Sequence, residues 1–100
     1  MFEVNGVNYT LKFNKQKLKT IETAKNISVV SEIKKSEGIL PYQLLETLFS
    51  LTLVEEATNE VVKQSKAQEM FEKVVEENGL ITTSMAIVEK LQEDMGFLFR

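Results

Sequence analysis

The stretch Phe2-Glu3-Val4-Asn5-Gly6-Val7-Asn8-Tyr9-Thr10-Leu11-Lys12-Phe13 decides how the fold begins. Apolar and polar residues alternate on both sides of Asn5-Gly6. An Asn-Gly pair suits a two-residue type I′ turn, whose central residues both need positive φ. The alternation therefore predicts a β-hairpin that pairs Val4 with Val7 and Phe2 with Tyr9. Phe2, Val4, Val7, Tyr9, Leu11 and Phe13 then share one face, and Glu3, Asn8, Thr10 and Lys12 turn to water. A two-stranded hairpin is marginal alone, so its apolar face is expected under helices or against another subunit.

Beyond Phe13 the hydrophobic period becomes helical. Asn14 is placed to cap a first helix that turns Leu18, Ile21 and Ala24 inward and ends at Asn26. Ser28 caps a second, carrying Val29, Val30 and Ile33 and closing at Gly38, a residue suited to the left-handed conformation after a helix. Pro41 fits the first turn of a third helix, where a missing N–H costs nothing. Tyr42, Leu44, Leu45, Leu48, Phe49, Leu51 and Leu53 cover most of that helix, which makes it the buried hub or an interface. Glu55 to Glu60 reads as a helix-to-helix connection, with Thr58 or Asn59 capping a fourth helix. Ala67, Met70, Phe71, Val74 and Val75 form its stripe, and Asn78-Gly79 ends it. A fifth begins near Thr82, Thr83 or Ser84, with Ile81, Met85, Val88, Leu91, Met95 and Leu98 at steps of three or four. The expected fold is mainly α: an N-terminal β-hairpin followed by about five helices, in one domain spanning 1–100, with 1–13 as hairpin and 14–100 as the helical part.

Composition narrows the function. The chain has 100 residues, 43% of them hydrophobic and 27% charged, a balance that folds. It contains no Cys and no His, which removes disulfides, thiolate and imidazole metal sites, and the Cys and Ser–His nucleophiles. A non-enzymatic protein without metal or cofactor is the expectation. The first residues lack the basic start and apolar run of a signal peptide, so an intracellular location is expected. The apolar run Ile39 to Val54 is interrupted by Pro41, Gln43 and Glu46 and falls short of the ~20 residues of a membrane span.

The net charge of −3 is unevenly spread: residues 1–54 carry seven Lys against five Glu, and residues 55–100 carry five basic residues against ten acids. Lys12, Lys15, Lys17, Lys19 and Lys25 are the one candidate for nucleic-acid contact. No Arg accompanies them, and a solvated helix face is the better reading. The acids Glu55, Glu56, Glu60, Glu69, Glu72, Glu76 and Glu77 have no calcium-loop spacing and read as helix surface and connection. Met70, Met85 and Met95 read as core filler. Met95-Gly96-Phe97-Leu98-Phe99-Arg100 is apolar where a frayed end would be polar, so it is expected to dock, either on its own core or on a neighbouring subunit.

The order of parts, with “V-N-G-V-N-Y-T-L-K-F” opening, “N-I-S-V-V” starting the second helix, “L-P-Y-Q-L-L-E-T-L-F-S-L-T-L” in the middle and two amphipathic helices after it, resembles the tail assembly chaperones of long, non-contractile-tailed phages and prophages of low-GC Gram-positive hosts. The resemblance covers most of the chain and rests on pattern, so no functional residue transfers singly. It implies a chaperone that forms homo-oligomers and binds the tape measure protein in the bacterial cytoplasm, and that is absent from the finished virion. It also implies a longer form, made by a ribosomal frameshift near Phe97-Leu98, that recruits the major tail protein. Tyr9, Leu11, Phe49, Leu53, Phe97, Leu98 and Phe99 are the candidate self-association or partner surface. The alternatives are a head–tail connector or similar structural subunit, and a small DNA-binding regulator using the lysines.

Overall fold

A computed structural model describes residues 2–100. Strands β1 (Phe2–Val4) and β2 (Val7–Leu11) form the hairpin, and Phe2↔Tyr9, Glu3↔Asn8 and Val4↔Val7 are its partners. Asn5 and Gly6 have φ of 53° and 79°, the two positive values that a type I′ turn requires. Tyr9, Leu11 and Phe13 are buried and Phe2, Val4 and Val7 half-buried, so the apolar face is covered within the protomer.

Five helices follow: α1 (Lys15–Lys25), α2 (Val29–Ser36), α3 (Tyr42–Thr52), α4 (Gln64–Asn78) and α5 (Leu80–Asp94), with a short 3₁₀ turn at Gly96–Phe99. The predicted caps hold where the chemistry is local. Asn14 Oδ1 accepts the Lys17 N–H at 2.9 Å, Ser28 Oγ accepts the Ser31 N–H at 3.3 Å, and Asn26 ends α1 with φ of 54°. Glu22 Oε2 also accepts the Val29 N–H at 2.7 Å, which ties α1 to the start of α2. Glu37, with φ of 56°, takes the left-handed position that ends α2, one residue before the expected Gly38. Pro41 precedes the first turn of α3 as its cap residue, and Gly79 stands between α4 and α5.

Helix α3 is the hub: α1, α4 and α5 all pack on it, and Leu44, Leu45, Leu48 and Phe49 are buried. Phe49 meets Phe2 and Phe71 at ring-centroid distances of 5.2 and 5.4 Å, so one aromatic joins the sheet to α4.

The structure departs from expectation after α3. Leu53 leaves the helix and opens a third strand, β3 (Leu53–Glu55), antiparallel to β2 with Tyr9↔Glu55 and Leu11↔Leu53, in sheet order β1-β2-β3. The connection Glu55–Glu60 is a tight turn: Asn59, at φ of 61°, donates to Glu55 O, and Val54 then bridges Val61. Thr58 and Asn59 therefore do not cap α4, which begins at Gln64 after Lys63. The free edge of β2 offers Leu53-Val54-Glu55 backbone partners that a longer α3 would leave unmet.

The inward faces also differ at two places. Ala24 is exposed. Helix α5 starts at Leu80, ahead of the expected Thr82 to Ser84, and buries Thr83, Ser84, Ile87, Val88 and Leu91. Ile81 and Met85 are 62% and 60% exposed, so the first two residues of the expected stripe face outward while Val88, Leu91 and Met95 are buried, and Met85 is not core filler, unlike Met70 and Met95.

Candidate partner surface

The seven residues proposed from sequence separate into two groups. Tyr9, Leu11, Phe49 and Leu53 lie in the core, with Leu11, Phe49 and Leu53 fully covered, so in this fold they hold the protomer together. Leu98 and Phe99 are half-buried and pack on that same core, which docks the Gly96–Phe99 turn in cis. Phe97 alone faces out, at 47% exposure, with Lys15 Nζ 5.5 Å from its ring centroid, a cation–π distance.

The apolar residues that do face solvent are others. Ser84 on α5 donates through Oγ to Gly38 O at 2.7 Å and accepts the Leu40 N–H at 3.0 Å, which fastens the α2–α3 connection to the helix. Ile39, held between those two residues, is 38% exposed. Ile81 and Met85, one helical turn apart on the same helix, are 62% and 60% exposed. Ile39 on the connection and Ile81 and Met85 on the helix are thus exposed apolar residues of two elements that one buried hydroxyl ties together. Sequence reading missed these residues because Ile81 and Met85 continue the helical period of the buried Val88, Leu91 and Met95, whereas at the start of α5 it is Thr83 and Ser84 that are buried. The polar pair Thr83-Ser84, set between apolar residues, was the available signal: buried hydroxyls need partners, and Gly38 to Leu40 supply them.

The charged groups sort by position. Lys12 Nζ bonds Asn59 Oδ1, and the Lys12 backbone N–H donates to Thr52 O at 3.0 Å, at the C-terminal end of α3. Lys17 lies near Lys12, and its pKa is lowered by burial first and by the Lys12 charge second. At the other end of α3, the Tyr42 ring packs edge-on against Phe71 at 5.1 Å while the residue stays 40% exposed. The Tyr42 hydroxyl is raised above its ordinary pKa by desolvation, then by Glu72, Glu46 and Glu76.

Several surface grooves lie among the described residues. One lies between β1 and the α4–α5 junction and is lined by Phe2, Glu3, Val74, Asn78 and Thr82. Another is lined by Thr10, Glu56, Glu89, Lys90 and Glu93. Among the described residues no cluster of three or more metal-ligating side chains occurs, and no helix is long and apolar enough to cross a membrane. No protein family, no curated protein and no solved structure matches the chain.

Proposed function

We propose that this protein is a tail assembly chaperone of long, non-contractile-tailed phages or prophages, which self-associates and holds the tape measure protein while the tail is built. The observation that carries the reading is the exposure of the apolar residues Ile39, Ile81 and Met85 on a helical, acidic protomer. A long helical client presents apolar residues every three or four positions, and exposed apolar residues accept them as a groove accepts an amphipathic helix. The net charge of −3 favours solubility of the complex. In this reading the chaperone acts in the host cytoplasm and leaves before the virion is complete, and a longer frameshifted form brings the major tail protein.

The test is co-expression with a tape measure protein of a long-tailed phage or prophage, taken from the genome that encodes this chain. The native chain is expected to keep that protein soluble and to co-purify with it, while Ile81→Asp with Met85→Asp folds normally and loses it. A chain that neither solubilises nor binds the tape measure protein, or that is found in purified virions as a stoichiometric component, would replace this reading with that of a structural subunit.

A further inference from the structure

Strand β1 is an outer strand of the sheet, and a channel runs beside it. In a two-residue hairpin the pair next to the turn, here Val4 and Val7, exchanges backbone hydrogen bonds, so the following pair, Glu3 and Asn8, turns its backbone groups outward on both sides. Asn8 fixes that phase: its carbonyl accepts the Glu56 N–H at 3.0 Å, on the side away from β1. The Glu3 N–H and C=O therefore point to the free edge. Helix α4 forms the other wall of the channel. Three grooves adjoin along it, the first and second sharing Glu3, Val74 and Glu77, the second and third sharing Val4, Asn5 and Lys73. Lys73 lines the middle groove, and Lys66 and Glu69 the groove at the hairpin turn. In the groove at the α4–α5 junction the charged residues are Glu3 and Glu77, both exposed, and among the described residues neither belongs to an ion pair. Phe2 and Val4, on the opposite side of the pleat from Glu3, are half-buried and so still present apolar surface.

We infer that this edge takes an extended segment of a partner protein, in which a central Lys or Arg is flanked on both sides by apolar residues. The pattern follows from the pleat. A residue joined to Glu3 through the edge hydrogen bonds lies beside the Glu3 carboxylate, because directly opposite residues share a face of the sheet. The residues before and after it fall on the other face, that of Phe2 and Val4. Glu77 gives the cationic head a second carboxylate, and Val74 and Ala86 line the same groove, where the aliphatic stem of a Lys or Arg is accommodated. Charge selects the occupant: two unpaired carboxylates attract a basic segment and oppose an acidic one. Backbone pairing at the edge supplies affinity and the alternate side chains supply specificity, as in strand addition generally. An edge of three residues suits a brief, reversible contact. The inference draws on neither Ile39 nor α5's exposed Ile81 and Met85, and it stands whether or not the proposed function does.

Amide shifts of the isotope-labelled full chain, titrated with the peptide acetyl-Thr-Val-Arg-Val-Thr-amide, test this. Saturable shifts are expected at Phe2, Glu3 and Val4 and at Val74, Glu77 and Asn78. The same peptide with Glu in place of Arg should bind about tenfold more weakly or less, since it sets a third carboxylate against two. Methylating the backbone nitrogen of the Arg should abolish binding, because the donor to the Glu3 carbonyl is lost. Glu3→Gln with Glu77→Gln should weaken the Arg peptide about tenfold as well. The two altered peptides are read on the native chain, so the outcome does not depend on how the variant folds. Shifts that are absent or lie elsewhere, or equal binding of either altered peptide, would each overturn the proposal. Concentration-dependent shifts of the same β1 amides without any peptide would assign the edge to a second copy and would overturn it too.

Discussion

Ser84 and Leu40 are 44 positions apart in the chain and joined by one hydrogen bond, the Leu40 N–H reaching Ser84 Oγ at 3.0 Å. The same oxygen donates to Gly38 O at 2.7 Å, so a single buried hydroxyl satisfies one backbone donor and one acceptor of the α2–α3 connection. Leu40 is thereby held in the core and Ile39 is turned to the surface.

Ser84→Ala is expected to destabilise the protein by about 1–3 kcal/mol, because both backbone groups lose their partner in a site that water does not reach. For a chain of this size each kcal/mol corresponds to roughly 4–8 °C in Tm. A thermal melt of the variant checks it, and an unchanged Tm would mean that the connection does not depend on this residue.

Ser50 predicts the opposite outcome. It is 3% exposed, and among the described residues its Oγ has no hydrogen-bond partner. Ser50→Ala removes a polar group whose burial is uncompensated, so urea unfolding should show stability equal to or above that of the native chain, by up to about 1 kcal/mol. A clear loss of stability would show that the hydroxyl is bonded in solution.

Two isoleucines on α5 separate core from surface. Ile87 is fully buried, and Ile87→Ala should cost about 2–5 kcal/mol through lost burial and the cavity left behind. Ile81→Ser should stay within about 0.5 kcal/mol of the native stability, as substitutions at exposed positions do. Equal losses in paired denaturation curves would place Ile81 in the core.

Glu37 occupies the left-handed cap of α2 at φ of 56°, a conformation that costs a residue with a Cβ about 1–2 kcal/mol. Glu37→Gly relieves that cost and returns part of it as unfolded-state entropy, about 0.4–1 kcal/mol. The expected net effect is a small rise in Tm, and a fall would show that the carboxylate holds a contact worth more than the backbone relief.

Legibility followed the range of the interaction responsible. The hairpin register, the Asn14, Ser28 and Asn26 caps and the α4 stripe Ala67, Met70, Phe71 and Val74 were all readable, because each depends on residues within one or two turns. Leu53 was not: it continues the apolar run of α3, and an apolar run is as compatible with a buried strand as with a helix. The candidate surface was the least legible part, since Tyr9, Leu11, Phe49 and Leu53 are large and apolar, a property that core and contact residues share.

By itself, the sequence determined that the chain opens with a hairpin, that helices dominate, and where most of them start and stop, because Asn-Gly turns and side-chain caps act on the backbone next to them. Tertiary structure alone decided that Leu53-Val54-Glu55 becomes a strand, since the strand exists only where β2 presents an unpaired edge to it. It also decided which way α5 faces. Two overlapping stripes run along that helix. The one containing Ser84 is buried because Gly38 and Leu40 come back across the chain to meet its hydroxyl, and Ile81 and Met85 are left facing water.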